Sequence, residues 1–61
     1  MTLKLKEVRE SRFLTQYELA KKAGLGVATI ARIEEGKTSP RLRTIRKIAE
    51  ALGVEPGSLV D

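Results

Sequence analysis

The chain has 61 residues, with 12 Lys and Arg against 8 Asp and Glu and a formal net charge of +4. A chain of this length forms one domain, and because it contains neither Cys nor His, disulfides, most zinc sites and most nucleophile–base pairs are excluded. The basic excess favours a polyanionic partner, although charge that serves only solubility fits the composition equally well.

The first predicted helix covers residues 4–11, with Leu5 and Val8 facing inward. Throughout the chain, apolar residues recur at intervals of three and four and never alternate over a strand-length window, which predicts helices and no strand. No segment approaches the roughly 20 apolar residues of a membrane span, and residues 1–9 lack the apolar block of a signal peptide. We therefore expect an intracellular, soluble protein with no membrane partner.

The second predicted helix covers residues 16–23 and has a strong start signal. Thr15 followed three residues later by Glu18 is the pattern of a capping box. Leu14 and Leu19 flank that cap at the spacing of a hydrophobic staple.

The third predicted helix covers residues 27–35 and follows the second after a short turn. In the stretch 16–35, the fifth, ninth, fifteenth and eighteenth positions carry a small residue, a glycine and two isoleucines. They are Ala20, Gly24, Ile30 and Ile33. The small residue permits close helix crossing, the glycine takes the positive φ of a helix-ending turn, and the isoleucines face inward. This arrangement is a helix-turn-helix, whose second helix enters the major groove, and it predicts sequence-specific DNA binding.

The fourth predicted helix covers residues 40–52, with Ser39 as its cap and Pro40 at its first position. One face of it is apolar and formed by Leu42, Ile45, Ile48, Ala49 and Leu52. A short fifth helical turn covers residues 55–59. The sequence thus predicts one all-α domain over residues 1–61.

The outer face of the third helix holds the candidate base-reading residues, because helical spacing turns them away from the two isoleucines. They are Val27, Ala28, Thr29 and Arg32. Arg32 can form two parallel hydrogen bonds with guanine, and Thr29 can bond a base edge or a phosphate. Val27 and Ala28 offer only apolar contact, with thymine methyl groups or sugars; the alternative is that both continue the core stripe.

Polar and basic side chains flank the loop after the third helix, and this loop would lie beside one DNA strand. We assign phosphate contacts to Lys37, Thr38, Arg41 and Arg43, with Arg12 and Tyr17 as weaker candidates. For each of these cations taken singly, a solvated surface charge is the alternative.

These features together resemble the phage-repressor and Cro-type helix-turn-helix family, often called XRE-type. The resemblance covers about residues 5–59 and rests on short pieces in a fixed order: Leu14-Thr15-Gln16, Leu19-Ala20, Gly24, Ile30, Ile33-Glu34, Gly36-Lys37 and Ala51-Leu52-Gly53-Val54. It implies a compact five-helix, repressor-like domain in a prokaryotic or phage-type cytoplasm. The implied partner is a double-stranded DNA operator, often bound by a two-fold symmetric dimer. Because the sequence shows no separate oligomerisation segment, we expect any homodimer to be weak or to form on DNA.

The resemblance also implies roles for three further residues. Gln16 stands where family members commonly contact the DNA backbone, and its amide and the free N–H groups of that helix end suit an anionic oxygen. Arg9 and Glu34 stand where family members often carry an ion pair that locks the third helix against the first. A structural role in that pair makes Arg9 a poor candidate for DNA contact.

The chain departs from a common family pattern at Gly26, Val27 and Ala28, where many relatives carry Ser, Arg, Gln or Asn. The third helix therefore has few side chains that can form hydrogen bonds with base edges. Three interpretations follow: Arg32 and Thr29 carry most of the base discrimination, DNA shape contributes much of it, or the specificity is modest.

The sequence lacks the arrangements of residues that catalysis requires. Glu34 and Glu35 are adjacent and point about 100° apart on a helix, no serine has a nearby base, and no glycine-rich loop follows a strand. We expect no enzyme activity, no cofactor and no metal.

An antitoxin or a protein-interaction module built on the same fold is the alternative function. For the homodimer, an apolar patch of Val54, Leu59 and Val60 is the candidate surface, unless Val54 and Leu59 complete the monomer core.

Overall fold

The computed structural model describes residues 3–60, and this part of the chain is helical. Its elements in chain order are α1 (Leu5–Ser11), α2 (Gln16–Ala23), α3 (Val27–Glu34), α4 (Leu42–Leu52) and a 3-10 helix (Pro56–Leu59). The predicted all-α class is confirmed, but the described chain has four α-helices and not five, because the last predicted helix is a single 3-10 turn. The predicted domain range also includes Met1, Thr2 and Asp61, which lie outside the described residues.

Local signals in the sequence determine both ends of α2. The Glu18 N–H donates to Thr15 Oγ1 at 3.0 Å and the Thr15 N–H donates to Glu18 Oε1 at 2.8 Å, so the predicted capping box is confirmed. The hydrogen bonds with the backbone and side chain of Thr15 lower the pKa of Glu18, because they favour its charged form. Gly24 ends the helix in the left-handed region, with φ of 70°.

The start of α4 differs from the prediction. The sequence predicts Ser39 as cap and Pro40 as the first helical residue, whereas the helix begins at Leu42 and its cap residue is Arg41. Arg41 is extended, with φ of −76° and ψ of 161°, and its side chain makes no capping hydrogen bond. The fixed φ of proline fits an extended segment as well as a first helical turn. Pro40 therefore belongs to the extended connection that leads from α3 to α4.

The apolar face of α4 is buried only over its later turns. Ile48, Ala49 and Leu52 are buried, Ile45 is half-buried, and Leu42 is 61% exposed. The apolar face predicted for α4 therefore extends past the edge of the core, and Leu42 in its first turn faces solvent.

The core joins all four α-helices and the 3-10 helix. Its largest fully buried side chains are Leu19, Ile30, Ile48 and Leu59. Leu59 thus completes the monomer core, which removes it from the candidate dimer patch, and Val54 packs against the same core. Val60 is half-buried and forms an isolated antiparallel bridge with Leu3, without a strand around it in residues 3–60.

Phe13, between α1 and α2, has a backbone conformation that is unfavourable for its side chain. It is the one non-glycine residue of the described chain with a positive φ, at 56°, and it is 93% exposed. A β-carbon in the left-handed region raises the energy by roughly 1–2 kcal/mol. Almost no burial of the ring offsets this strain.

Replacing Phe13 with glycine is therefore expected to stabilise the chain by about 0.5–1 kcal/mol, since relief of strain exceeds the added entropy of the unfolded glycine. Urea denaturation followed by circular dichroism measures this gain. Phe13→Ala is the matched control: it removes the ring but keeps the β-carbon, so we expect no gain from it. Equal stabilisation by both variants would show that the exposed ring, and not the backbone conformation, is unfavourable.

Candidate nucleic-acid interface

The position of α3 is fixed by the two isoleucines on its inner side. Ile30 is 0% and Ile33 is 4% exposed, and both belong to the core. The turn before α3 is closed by the N–H of Leu25, which donates to the Ala20 carbonyl at 2.9 Å. The opposite side of α3 consequently faces solvent.

That solvent-facing side carries the predicted base-reading residues. Val27, Ala28 and Arg32 are exposed, and Thr29 is half-buried. The alternative that Val27 and Ala28 continue the core stripe is thereby excluded. The side chain of Arg32 makes no hydrogen bond or ion pair within residues 3–60, so its guanidinium is available to an external acceptor.

The beginning of α3 has no polar side chain. Gly26 is the cap residue of α3 and makes no side-chain hydrogen bond. Its φ of −78° is an ordinary value for any residue. A β-carbon built at Gly26 would lie 3.8 Å from Thr29 Oγ1, which is normal van der Waals contact. The fold therefore does not require glycine at this position.

The other end of α3 is held by a buried ion pair. Arg9 Nε donates to Glu34 Oε2 at 2.6 Å, and a second guanidinium nitrogen donates to Glu34 Oε1 at 3.1 Å. The third guanidinium nitrogen of Arg9 donates to the Leu14 carbonyl at 2.7 Å. This two-point pair, inferred from the family resemblance, links α1, the loop after it and α3.

The ionisation of both partners reflects this geometry. The hydrogen bond to Glu34 raises the pKa of Arg9 despite the opposing effect of burial. Burial acts to raise the pKa of Glu34, but the hydrogen bonds from Arg9 and Gln16 and the nearby positive charge outweigh it and lower that pKa. Both groups are therefore charged at neutral pH.

Gln16 belongs to the same cluster, and this contact with Glu34 is not predicted from the sequence. Its Nε2 donates to Glu34 Oε1 at 3.1 Å, so the side chain joins the start of α2 to the end of α3. The two residues are 18 positions apart, and no local spacing rule relates them. The backbone N–H groups of Gln16 and Tyr17 still lack carbonyl partners inside α2, because they are the first two of the helix.

The predicted phosphate-binding side chains that follow α3, in the loop and in the first turn of α4, are all exposed. They are Lys37, Thr38, Arg41 and Arg43, and the weaker candidates Arg12 and Tyr17 are exposed as well. Lys37 Nζ lies 3.6 Å from Glu35 Oε2 in an exposed pair, which partly neutralises its charge. The three arginines of this set make no ion pair in the part of the chain that the structure describes.

Among residues 3–60, no three His, Cys, Asp or Glu side chains come together in a way that holds a metal ion. No described helix has the length and apolar character that a membrane crossing requires.

Comparison with known proteins matches a helix-turn-helix family model to residues 5–59. The chain is 39% identical over 57 residues to the immunity repressor of Bacillus phage phi105, covering 93% of this chain and 40% of that protein. It is 39% identical over 57 residues to the transcriptional repressor RstR of the cryptic phage CTXphi from Vibrio cholerae, covering 93% of this chain and 51% of RstR. The chain thus spans about half or less of these two repressors.

A relative of similar size is an uncharacterized HTH-type transcriptional regulator from Methanocaldococcus jannaschii. It is 47% identical over 55 residues, which cover 90% of this chain and 83% of that protein. Among solved structures, the restriction-modification controller protein C.AhdI from Aeromonas hydrophila superposes with a TM-score of 0.83 and 36% identity. The match covers 85% of this chain and 79% of that one.

Proposed function

The chain belongs to the helix-turn-helix family, and on this basis we propose that it is a DNA-binding transcriptional regulator that reads sequence with α3 in the major groove. The observation that carries the proposal is the exposed outer face of α3 opposite the buried Ile30 and Ile33. The relatives named as repressors and regulators support the same role. In this proposal DNA is the ligand, and no catalytic step takes place.

Two polar residues of α3 are proposed to discriminate bases. Arg32 donates a pair of hydrogen bonds to O6 and N7 of a guanine, which is the commonest specific contact in the major groove. Thr29, less exposed and three positions earlier, bonds a base edge or a phosphate. Because Arg32 has no competing partner within the described residues, binding it to guanine breaks no existing contact.

Phosphate contacts are proposed on both sides of α3. Gln16 offers the backbone N–H at the start of α2 and the amide hydrogen that it does not share with Glu34. After α3, Arg41 before α4 and Arg43 in the first turn of α4 contribute full charges, while Lys37 must exchange its exposed pair with Glu35 for a phosphate. These contacts fix the register of the domain on DNA and carry no sequence information themselves.

We further propose that two copies bind a two-fold symmetric operator in the prokaryotic or phage-type cytoplasm. A single small domain contacts one half-site, and two domains read half-sites separated by one DNA turn of about 10 base pairs. Leu59 is committed to the core, so the remaining apolar surface near the C-terminus is small. The dimer is therefore weak in solution and forms on DNA.

Selection of bound fragments from a random duplex library tests this function. The expected result is one enriched motif, with two inverted half-sites about 10 base pairs apart between centres. Sedimentation of the chain at micromolar concentration, with and without the selected duplex, tests whether the second copy joins on DNA. Enrichment of no motif from the library would overturn the proposed sequence-specific binding.

Salt dependence separates this function from a protein-interaction module. About six phosphate contacts in each bound copy give a slope of log affinity against log salt of about −5 per copy, because each neutralised phosphate contributes roughly −0.9. Arg41→Ala and Arg43→Ala are each expected to reduce the slope by about one. An apolar protein interface is nearly insensitive to salt, so a slope near zero would point to a protein partner.

A further inference from the structure

We propose that the tip of α3, defined as Gly26, Val27 and Ala28, recognises the C5-methyl group of thymine. The operator then carries T·A pairs where this tip meets the floor of the major groove. This inference rests on the proposed function, because it names the chemical group that the same helix face reads. It concerns the three positions at which this chain has no polar side chain.

The tip is exposed although it is largely apolar. Val27 is 44% exposed and Ala28 is exposed, while Ile30 and Ile33 of the same helix are buried in the core. A single exposed valine needs no explanation. Here, however, three consecutive residues at the end of the helix that approaches base edges have no side-chain donor or acceptor.

The glycine of the tip is not a requirement of the fold. Gly26 has an ordinary φ, and a β-carbon there would make only normal contact with Thr29 Oγ1. A Ser, Asp or Asn at this position would fit and would cap α3 with a side-chain hydrogen bond. The bare backbone instead leaves room for a close approach of the helix end to DNA.

The chemistry of the groove limits what such a tip can distinguish. Base edges in the major groove differ in hydrogen-bond donors and acceptors, and thymine alone adds a methyl group. Since Val27 and Ala28 have no side-chain hydrogen-bonding group, their discrimination comes from burying that methyl. Along the helix axis, Ala28 and Val27 lie roughly 6 to 8 Å from Arg32, about two base-pair steps. We therefore expect the critical T·A pair within about three steps of the guanine bound by Arg32.

Removal of single methyl groups from the DNA tests the inference. Each thymine of the selected duplex is replaced in turn by deoxyuridine, which removes the methyl and keeps the base pair. At one or two positions in each half-site, the affinity is expected to fall about fourfold, as for one buried methyl group. Replacement of thymines elsewhere in the duplex is expected to change affinity by less than twofold.

Two variants locate the contact on the protein. In Val27→Ala or in Ala28→Gly, the effect of deoxyuridine at a critical position is expected to shrink to less than twofold. Lys21→Ala, an exposed substitution on α2 outside all proposed contacts, is the control and keeps the fourfold effect. Circular dichroism of each variant verifies that the helices are intact, and urea denaturation of Ala28→Gly reports any loss of stability.

The outcomes separate this inference from the proposed function. If a motif is enriched but no deoxyuridine substitution weakens binding, the tip does not read methyl groups while the proposed function stands. If the deoxyuridine effect is the same in both tip variants as in the original chain, another residue reads the methyl and the inference is overturned. Absence of any enriched motif counts against the function itself.

Discussion

Replacing Glu34 with glutamine is expected to destabilise the folded chain by about 3 kcal/mol. The change is nearly isosteric, but it removes the negative charge that two nitrogens of the Arg9 guanidinium contact at 2.6 and 3.1 Å. Arg9 is 8% exposed, so its charge would remain buried without a counterion. Loss of one partner from a buried pair lowers the free energy of unfolding more than loss of both, because the remaining charge is desolvated and unpaired. Urea denaturation at pH 7 measures the effect.

Two further variants make this result specific to the ion pair. Glu35→Gln alters the next residue, whose carboxylate forms only the exposed pair with Lys37, and it is expected to change stability by less than about 0.5 kcal/mol. The double variant Arg9→Met with Glu34→Leu is expected to recover part of the loss, since no buried charge remains. Equal effects of Glu34→Gln and Glu35→Gln would contradict a stabilising role for the pair.

The pH dependence of stability gives an independent readout of the same pair. The pKa of Glu34 is lowered in the folded chain, so its contribution is present above the ordinary value of 4.5 and is lost as pH falls through the folded pKa. The original chain should therefore lose stability below about pH 4.5 more steeply than Glu34→Gln. The variant keeps some acid dependence, because Glu18 also has a lowered pKa.

The sequence predicts elements well where the signal is local. The start of α2 depends on Thr15 and Glu18, three residues apart, and its end depends on Gly24 alone. Such interactions form within one helical turn, so they can be predicted from the sequence without knowledge of the fold. The inward position of Ile30 and Ile33 is equally accessible, because helical periodicity fixes one face relative to the other.

Local signals mislead where one residue type fits two conformations. Pro40 suits the first turn of a helix and an extended connection alike, since both need a φ near −65°. The choice between them is made by the path of the chain from α3 to α4, which Ser39 and Pro40 do not encode. Leu42 shows a related limit, because periodicity assigns it to the apolar face of α4 but does not tell where the core ends.

The cluster around Glu34 shows what sequence spacing cannot supply. The contact with Gln16 spans 18 residues and that with Arg9 spans 25, so both depend on how three separate segments meet. Family resemblance supplied the pairing with Arg9. The bond from Gln16 needed the packed geometry, and it gives a residue predicted only for DNA a second role in holding α3.

These contacts fix the C-terminal end of α3, whereas its N-terminal end has no side-chain contact that caps it. Glu34 is anchored by Arg9 and Gln16, and Ile30 and Ile33 pack into the core, whereas the start of the helix at Gly26 has no side-chain cap. The orientation of the helix is therefore set from its later turns. A residue that projects from these turns toward DNA has the best-defined position.

Arg32 projects from these turns on the face where we propose that DNA binds, and Arg32→Ala is expected to weaken binding to the selected duplex by about 2 kcal/mol, or roughly thirtyfold. The loss should be confined to duplexes that carry the critical guanine, so binding to an unrelated duplex should fall much less. Arg32→Lys is expected to retain the general affinity while losing most of the preference for guanine, because an ammonium group cannot donate the paired bonds of the guanidinium fork. Titration of each variant with both duplexes at fixed salt measures these changes.

Arg46→Ala is the matched control, because it removes the same side chain from an exposed position of α4 that is assigned no DNA contact. It is expected to weaken binding to both duplexes alike and by less than threefold. If Arg32→Ala and Arg46→Ala weaken binding to both duplexes by the same factors, the outer face of α3 does not read the guanine. The two variants lose the same charge and differ only in the position of that charge. Unequal loss on the two duplexes for Arg32→Ala alone would assign the guanine preference to this side chain.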